Sequence, residues 1–488
     1  MITERAPNDR GSHLETEVRS LRPGRRPEGF DVTVIGAGLA GLSAAASLTA
    51  GGWRVLVLEA RSRLGGRATS FRDREAGEIV DNGQHVLFGC YRETFEFLRR
   101  VGADHAVRLQ RDLEVACIDE RGRRTVLRCP TAPAPVHLLA GVLEWDAMPM
   151  RDRLSILKVV GPLRLARRHY RGRTQHLPAS PGETVRDWLL LHGQSEPLRR
   201  LLWEPLALAA LNQRPEVAGA EPFVRVLSEM FGADRAAAAV GLPALPLERA
   251  FAEPARVFVE QGGGRVRTGC PARVRRASPA RVRAEAGGAP VESRAVVCAV
   301  PWFALRETVD DEVAAEPTFG AVVAAATALG CSPIVTLNLW LDRPVLDQPF
   351  VGLPARQWQW AFDKRQLWDE QAGHLSLVSS GADEVLALTN EALIANALAE
   401  LREALPAVRR ATIRHASVVR EPRATFSLAP GGPARPATRT PFENLFLAGD
   451  WTATGLPGTI ESAVISGHRA AAEAARLLAS RPATAPRP

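Results

Sequence analysis

The chain has 488 residues, 46% hydrophobic and 24% charged, which is room for two or three domains and too apolar for a disordered protein. The formal net charge is +8, but Lys158 and Lys364 are its only lysines and the arginines are scattered among acids without long runs. That pattern carries no nucleic-acid recognition motif and leaves a weak attraction to anionic membrane surfaces. Six cysteines (Cys90, Cys117, Cys129, Cys270, Cys298, Cys331) form no CxxC and no metal-ligand spacing, so they read as reduced thiols of a cytosolic protein without a metal site.

Residues 1–29 are charged, contain Pro23 and Pro27, and lack an apolar core. They are expected to be a disordered tail, neither signal peptide nor anchor. Asp31 to Arg67 then reads as strand, glycine turn, helix and second strand. Asp31–Ile35 is short and β-branched and runs into Gly36-Ala37-Gly38-Leu39-Ala40-Gly41; Leu39–Ala50 is alanine-rich; Arg54–Leu58 closes on Glu59. Gly36 serves the sharp turn, Gly38 the approach of a pyrophosphate, and Gly41 the packing of helix on strand. The helix N-terminus offers N–H groups to phosphates, and Glu59 is placed for a ribose diol. A bare glycine-rich turn lacks this strand–helix frame and the trailing acid, so the stretch is read as dinucleotide-binding.

Arg63-Leu64-Gly65-Gly66-Arg67 follows directly, with two glycines for close approach and two guanidiniums for phosphate charge. It resembles the RxGGR signature of the amine oxidase and phytoene desaturase superfamily of FAD enzymes. The resemblance implies an α/β fold: a Rossmann-type FAD-binding domain, of the glutathione reductase kind, interleaved with an α+β substrate domain. The implied FAD segments are 30–109, 251–305 and 441–480; the substrate segments are 110–250 and 306–440; residues 481–488 form a second tail.

Glu78 to Tyr91 contains Asp81-Asn82-Gly83-Gln84-His85. This resembles the DxGxH stretch beside the flavin ring in the phytoene desaturase branch, and its full form, DNGQHVLFGCYRETFEFLRRVGA, resembles the squalene-associated subgroup, the hydroxysqualene dehydroxylases. The resemblance puts Gly83 against the isoalloxazine and His85 toward the substrate. His85 is then either a loop histidine held by hydrogen bonds or an acid working near neutral pH. Thr94–Val101 reads as an amphipathic helix.

From 110 to 250 proline-rich breaks separate helical pieces. Met150–Tyr170 mixes leucines with Arg151, Arg153, Lys158, Arg164, Arg167 and Arg168, a basic amphipathic helix that is either a solvated cap face or a membrane contact. Trp203–Asn212 is mostly apolar, for a lipid tunnel or for core. Val257-Phe258-Val259 reads as a strand before the Gly262-Gly263-Gly264 turn, followed by Val266–Val274 and the strand Ala295–Val300 ending at Pro301. In the superfamily the backbone at the position matching Val274 touches adenine.

Pro317–Leu341 carries no charge, but its glycines and the alternation after Pro333 favour an alanine-rich segment and a buried strand over a membrane span. Gln357–Phe362 alternates as a strand with Trp358, Trp360 and Phe362 on one face. The closing motif runs from Asn444 through Gly449-Asp450-Trp451 to Thr459 and Ile460. By resemblance Asp450 holds the ribityl or pyrophosphate region, and the helix beginning near Thr459 faces the flavin N1–C2=O edge, where charge collects on reduction.

Amine oxidases of this superfamily typically enclose an amine between two tyrosines and often keep a lysine near N5. Here the only tyrosines are Tyr91 and Tyr170, and Lys364 reads as part of a charged turn. No cysteine lies near Gly449, so FAD is expected to be non-covalent. The resemblance implies hydroxysqualene and reduced FAD giving squalene, FAD and water in hopanoid and squalene biosynthesis, with His85 as acid and Asp363 as second candidate. Two rivals stay open: a carotenoid-type desaturase moving hydride the other way, and a non-redox prenyl-lipid escort. The implied partners are a polyprenyl hydrocarbon or alcohol, an unnamed electron donor, upstream squalene-pathway synthases and the inner face of the cell membrane.

Overall fold

The computed structural model describes residues 29–232, 234–368 and 373–480. Nearly all of both expected tails lies outside these. Five parallel strands form one sheet in the order Arg265–Arg267, Val55–Leu58, Val32–Ile35, Ala295–Cys298, Leu445–Leu447. The inner strands are continuous buried runs, as strands covered on both faces must be. Residues from the start, middle and end of the chain thus meet in one sheet. Its carboxyl ends point the same way, so residues that follow four of the strands (Gly36, Glu59, Ala299, Gly449) gather at one edge, where open α/β sheets bind ligands.

The helices Leu39–Ala50 and Ile460–Ser480 cross at contact distance. Ser43 Oγ lies 3.4 Å from the Val464 carbonyl, and a Cβ at Gly467 would sit 2.1 Å from Ser43 Oγ. Ala40, Ala44 and Gly467 are small because the backbones touch there.

The second sheet has seven strands in mixed orientation. Cys331–Leu341 lies between Ile413–Phe426 and Gly373–Ser380, both antiparallel to it; Trp360–Asp363, Phe350–Gly352, Glu114–Ile118 and Arg124–Arg128 continue the sheet. Helices between Val136 and Met230 form a cap around Trp188, Trp203 and Phe223. The uncharged stretch from Pro317 resolves into a helix, Pro317–Ala328, and the strand Cys331–Leu341. Among the described residues no helix is long and apolar enough to cross a membrane.

Three local readings are corrected. Val257–Val259 is not a strand but part of the helix Glu253–Gln261; Pro254 is accommodated in its first turn, and Ala255 and Val259, four apart, bury its inner face. Met150–Tyr170 is helical in three pieces, Met150–Arg153, a 3₁₀ segment Leu154–Val159, and Val160–Tyr170. The strand expected from Gln357 begins only at Trp360, after a turn in which Ala355 has φ +62°. Trp358 is therefore out of phase: it packs on the opposite side, its Nε1 donating to Asn396 at 3.0 Å.

Candidate active site

One cavity of about 840 Å³ runs from the carboxyl edge of the parallel sheet into the space between the seven-stranded sheet and the cap. Its first half is backbone and polar groups. Gly36, Gly38, Glu59, Gly65, Gly66, Arg67, Gly83, Gly449, Asp450, Thr459, Ile460 and His85, all expected near the cofactor or reaction centre, line it.

The sequence explains how this half is built. The helix Leu39–Ala50 begins at Gly38 with no side-chain cap and no acid in its first turn, so its leading N–H groups await an external acceptor. Gly66, at φ +64°, would place a Cβ 3.1 Å from Gly38 Cα; two loops meet there with no room for a side chain. Glu59 accepts from the Ala37 N–H at 2.7 Å and the Arg61 N–H at 2.9 Å, which fixes its carboxylate at the cavity wall with lone pairs to spare. Arg67 Nη2 meets Asp450 Oδ1 at 2.5 Å, its Nη1 donates to the Ala424 carbonyl at 2.9 Å, and the guanidinium lies 5.1 Å from the Trp302 ring. This ion pair links the first motif to the last. Glycine cradle, uncapped helix and anchored carboxylate fit a dinucleotide such as FAD.

Other expected residues stand outside the cavity. Gly41 packs helix against turn, where a Cβ would lie 1.9 Å from the Gly36 carbonyl oxygen. Arg63 is exposed, 5.0 Å over the Phe71 ring, while Arg61 lines the wall in its place. Val274 is fully buried in a separate core, and its neighbours Ala272 and Arg273 face the cavity instead. Trp451 is buried behind Gly449, its Nε1 donating to the Val300 carbonyl at 3.0 Å. Asp363 is ruled out as an acid in the cavity by strand alternation. Trp360 and Phe362 line the wall, whereas the Asp363 carboxylate accepts from Arg365 at 3.1 Å and Gln366 at 2.8 Å on the other side.

His85 Nδ1 lies 3.0 Å from the Gly83 carbonyl oxygen. A carbonyl only accepts, so the neutral ring carries its proton on Nδ1 and leaves Nε2 as an acceptor. Burial pushes the imidazole below its ordinary value, against the opposing pull of the Gly83 carbonyl and the Asp81 charge. At neutral pH the ring is therefore uncharged.

Lys364 does not sit in a charged turn. Its side chain is 1% exposed, and the ammonium donates to Asp81 Oδ2 at 2.9 Å and Gln84 Oε1 at 2.6 Å. In the sequence a lysine beside Asp363 and Arg365 looks solvated, and only the tertiary fold buries it. Tyr91 also lines the cavity, and burial holds its phenol protonated.

The second half of the cavity is apolar, walled by side chains such as Val115, Leu201, Leu206, Met230, Ile334 and Phe350. Cys117 belongs to this wall as a neutral thiol, its pKa pushed up to about 12 by burial. Trp203 is core, its Nε1 donating to Gln194 at 3.0 Å. Asn212 lines the cavity, but its amide is bonded to the Ser332 carbonyl and Gly381 N–H.

Residues 39–475 match the family described as flavin containing amine oxidoreductase. Among curated proteins, hydroxysqualene dehydroxylase of Rhodopseudomonas palustris is 31% identical over 90% of this chain and 97% of its own length. The Zymomonas mobilis protein of the same name is 27% identical over the same shares. A 15-cis-phytoene desaturase of Narcissus pseudonarcissus is 24% identical over 92% of this chain and 80% of that protein. Among solved structures, an oxidoreductase from Methanosarcina mazei superposes with TM-score 0.70 at 18% identity, over 90% of this chain and 99% of the other. Putrescine oxidase bound to putrescine superposes at 0.67 and 18%, over 92% and 99%; these two likenesses concern the fold.

Proposed function

We propose that this chain, which belongs to the flavin containing amine oxidoreductase family and is an FAD-dependent oxidoreductase, reduces hydroxysqualene to squalene. The observation that carries the reading is the continuity of one cavity: a half lined by glycines and polar groups opens directly into a half walled by apolar side chains. The relatives that match over nearly their whole length carry the same activity in their names.

FAD, when bound and reduced, supplies the hydride. The chain's own residues bind, orient and exclude water. The glycines, Glu59, Arg67 and Asp450 hold the dinucleotide. The apolar walls keep water from the allylic cation left when the hydroxyl departs. Departure requires a proton on that hydroxyl, so the C–O bond breaks to give water. His85 is the candidate donor, and it must first become an imidazolium. One observation favours the second reading, desaturation: in its neutral form His85 accepts a proton, as a carbocation losing one would need.

The membrane contact is proposed on the segment Met150–Tyr170, where Met150, Leu154, Leu157 and Leu165 stand exposed among Arg151, Lys158, Arg164 and Arg168. That placement would serve a water-insoluble substrate on the inner face of the membrane. A separate electron donor and the synthase that makes the alcohol are the remaining proposed partners.

The test is anaerobic. Reduced holoprotein mixed with hydroxysqualene is expected to reoxidise as squalene appears in equal amount. A flavin that stays reduced beside the alcohol, but is reduced by a conjugatable polyene hydrocarbon when oxidised, would establish desaturation instead.

A further inference from the structure

We propose that Lys364 is a positioning residue, whose buried ammonium clamps Asp81 and Gln84 on either side of the Asn82-Gly83 turn and so sets the shape and charge of the wall that carries His85. Its role in turnover rests on the reaction proposed above; its effect on His85 does not.

The chain has 62 basic residues, and all but Lys158 and Lys364 are arginine. Lys158 is exposed, reaching no nearer than 3.5 Å to the Gly193 carbonyl. Lys364 is enclosed: Asp81 Oδ2 at 2.9 Å, Gln84 Oε1 at 2.6 Å and the Trp368 ring centroid at 3.7 Å surround Nζ. A compact ammonium fits such a pocket and a planar guanidinium fork does not. Unlike the exposed Lys158, Lys364 sits where the enclosure makes a steric and electrostatic demand that an ammonium meets.

The clamp joins the two halves of the molecule. Lys364 opens the short helix Lys364–Trp368, directly after the strand whose Trp360 and Phe362 wall the apolar half. Asp81 ends the strand Ile79–Asp81 and also accepts from Ser70 Oγ at 2.8 Å and the Leu247 N–H at 3.0 Å. Its carboxylate therefore has every partner a buried anion needs. Gln84, held through Oε1, donates from Nε2 to the His85 carbonyl at 3.0 Å, and Gly83 supplies the acceptor for His85 Nδ1. Loosening Lys364 would release the peptide that orients the imidazole.

The charges that bear on the ring are Asp81 on its own segment, Lys364 from the substrate-side helix, and Arg67, itself paired with Asp450. Asp81 favours the imidazolium, whereas Lys364 and Arg67 oppose it.

The experiment is histidine ¹⁵N NMR of the full-length holoprotein, with the His85 signal assigned by its loss in His85→Gln. In Lys364→Met the His85 titration midpoint should rise, because Asp81 is no longer countered. In Asp81→Asn it should fall, because Lys364 is no longer countered. Opposite displacements from the two ends of one contact are a signature that general damage does not produce. Each variant tests the clamp alone if the other fails to fold, and a folded variant with the wild-type midpoint overturns the proposal. The pH–rate profile of squalene formation should move with the midpoint. Midpoints that move in a protein inert toward hydroxysqualene would sink the proposed reaction and leave the clamp standing; turnover with unmoved midpoints would do the reverse.

Discussion

Arg67→Gln is the substitution most directly weighed by the geometry. The wild-type guanidinium meets Asp450 Oδ1 at 2.5 Å, with the Asp450 side chain 5% exposed and that of Arg67 26% exposed. Glutamine leaves Asp450 a buried anion without its cation, and the Ala424 carbonyl loses a donor as well. Breaking a fully buried pair costs ~3–5 kcal/mol, and the partial exposure of Arg67 reduces this to roughly 2 kcal/mol. In the site proposed to hold FAD, the orphaned Asp450 carboxylate repels the pyrophosphate, and a loss of roughly 2 kcal/mol in binding corresponds to about a 30-fold larger dissociation constant. Titration of apoprotein with FAD, followed by flavin fluorescence, measures it. Asp450→Asn placed on top of Arg67→Gln should recover part of the loss by removing the orphan charge. FAD affinity within threefold of wild type in Arg67→Gln would refute the inference that this pair supports the cofactor site.

His85→Gln should leave FAD bound and slow dehydroxylation more than tenfold; the wild-type rate should climb as pH falls through the depressed His85 range, whereas a rate that rises with pH would mark His85 as a base. Gly41→Val drives a side chain onto the Gly36 carbonyl, so the variant should purify colourless, and a yellow product would contradict the packing. Ala209→Trp, in the apolar half, should cut kcat/KM for hydroxysqualene at least ~10-fold by overfilling the cavity while the flavin spectrum is unchanged. Burial holds His85, His137 and His192 below the ordinary value of 6.5, so in acid the unfolded chain takes up protons that the folded chain resists. Stability from these groups is complete above about pH 6.5 and falls as pH drops through their depressed values; a urea midpoint no lower at pH 5.5 than at pH 7.5 would count against it.

What could be read from the sequence was what is locally encoded. The strand–turn–helix at Asp31–Ala50 announces itself through β-branching, glycine spacing and alanine content, and the structure has the strand Val32–Ile35 and the helix Leu39–Ala50 there. The orientation of single side chains was harder to read. Asp363 ends a strand that begins three residues later than the alternation from Gln357 suggests, and only the pleat decides that Phe362 faces the cavity while Asp363 turns away. Val257–Val259 has strand-like residues, but Pro254 and the spacing of Ala255 and Val259 make it a helix. Lys364 and Asp81 are 283 positions apart, and nothing near either residue signals the other. The polar half of the cavity is made mostly of backbone held by short motifs, so it was legible. The apolar half and the clamp are made of contacts between distant segments, so they were not.

The parallel sheet also sets a timetable for biosynthesis. Its edge strand Leu445–Leu447 and the helix Ile460–Ser480, which covers Leu39–Ala50, emerge from the ribosome after every other strand of the sheet. The 383 residues separating Arg67 from Asp450 take roughly 20–80 s to translate at ~5–20 residues per second. Throughout that interval the first glycine motif exists without the segment that completes its pocket, and an alanine-rich helix waits without its cover. A premature stop anywhere before Leu445 leaves a polypeptide that neither colours with flavin nor hides its N-terminal helix, a substrate for proteolysis rather than a partly active enzyme.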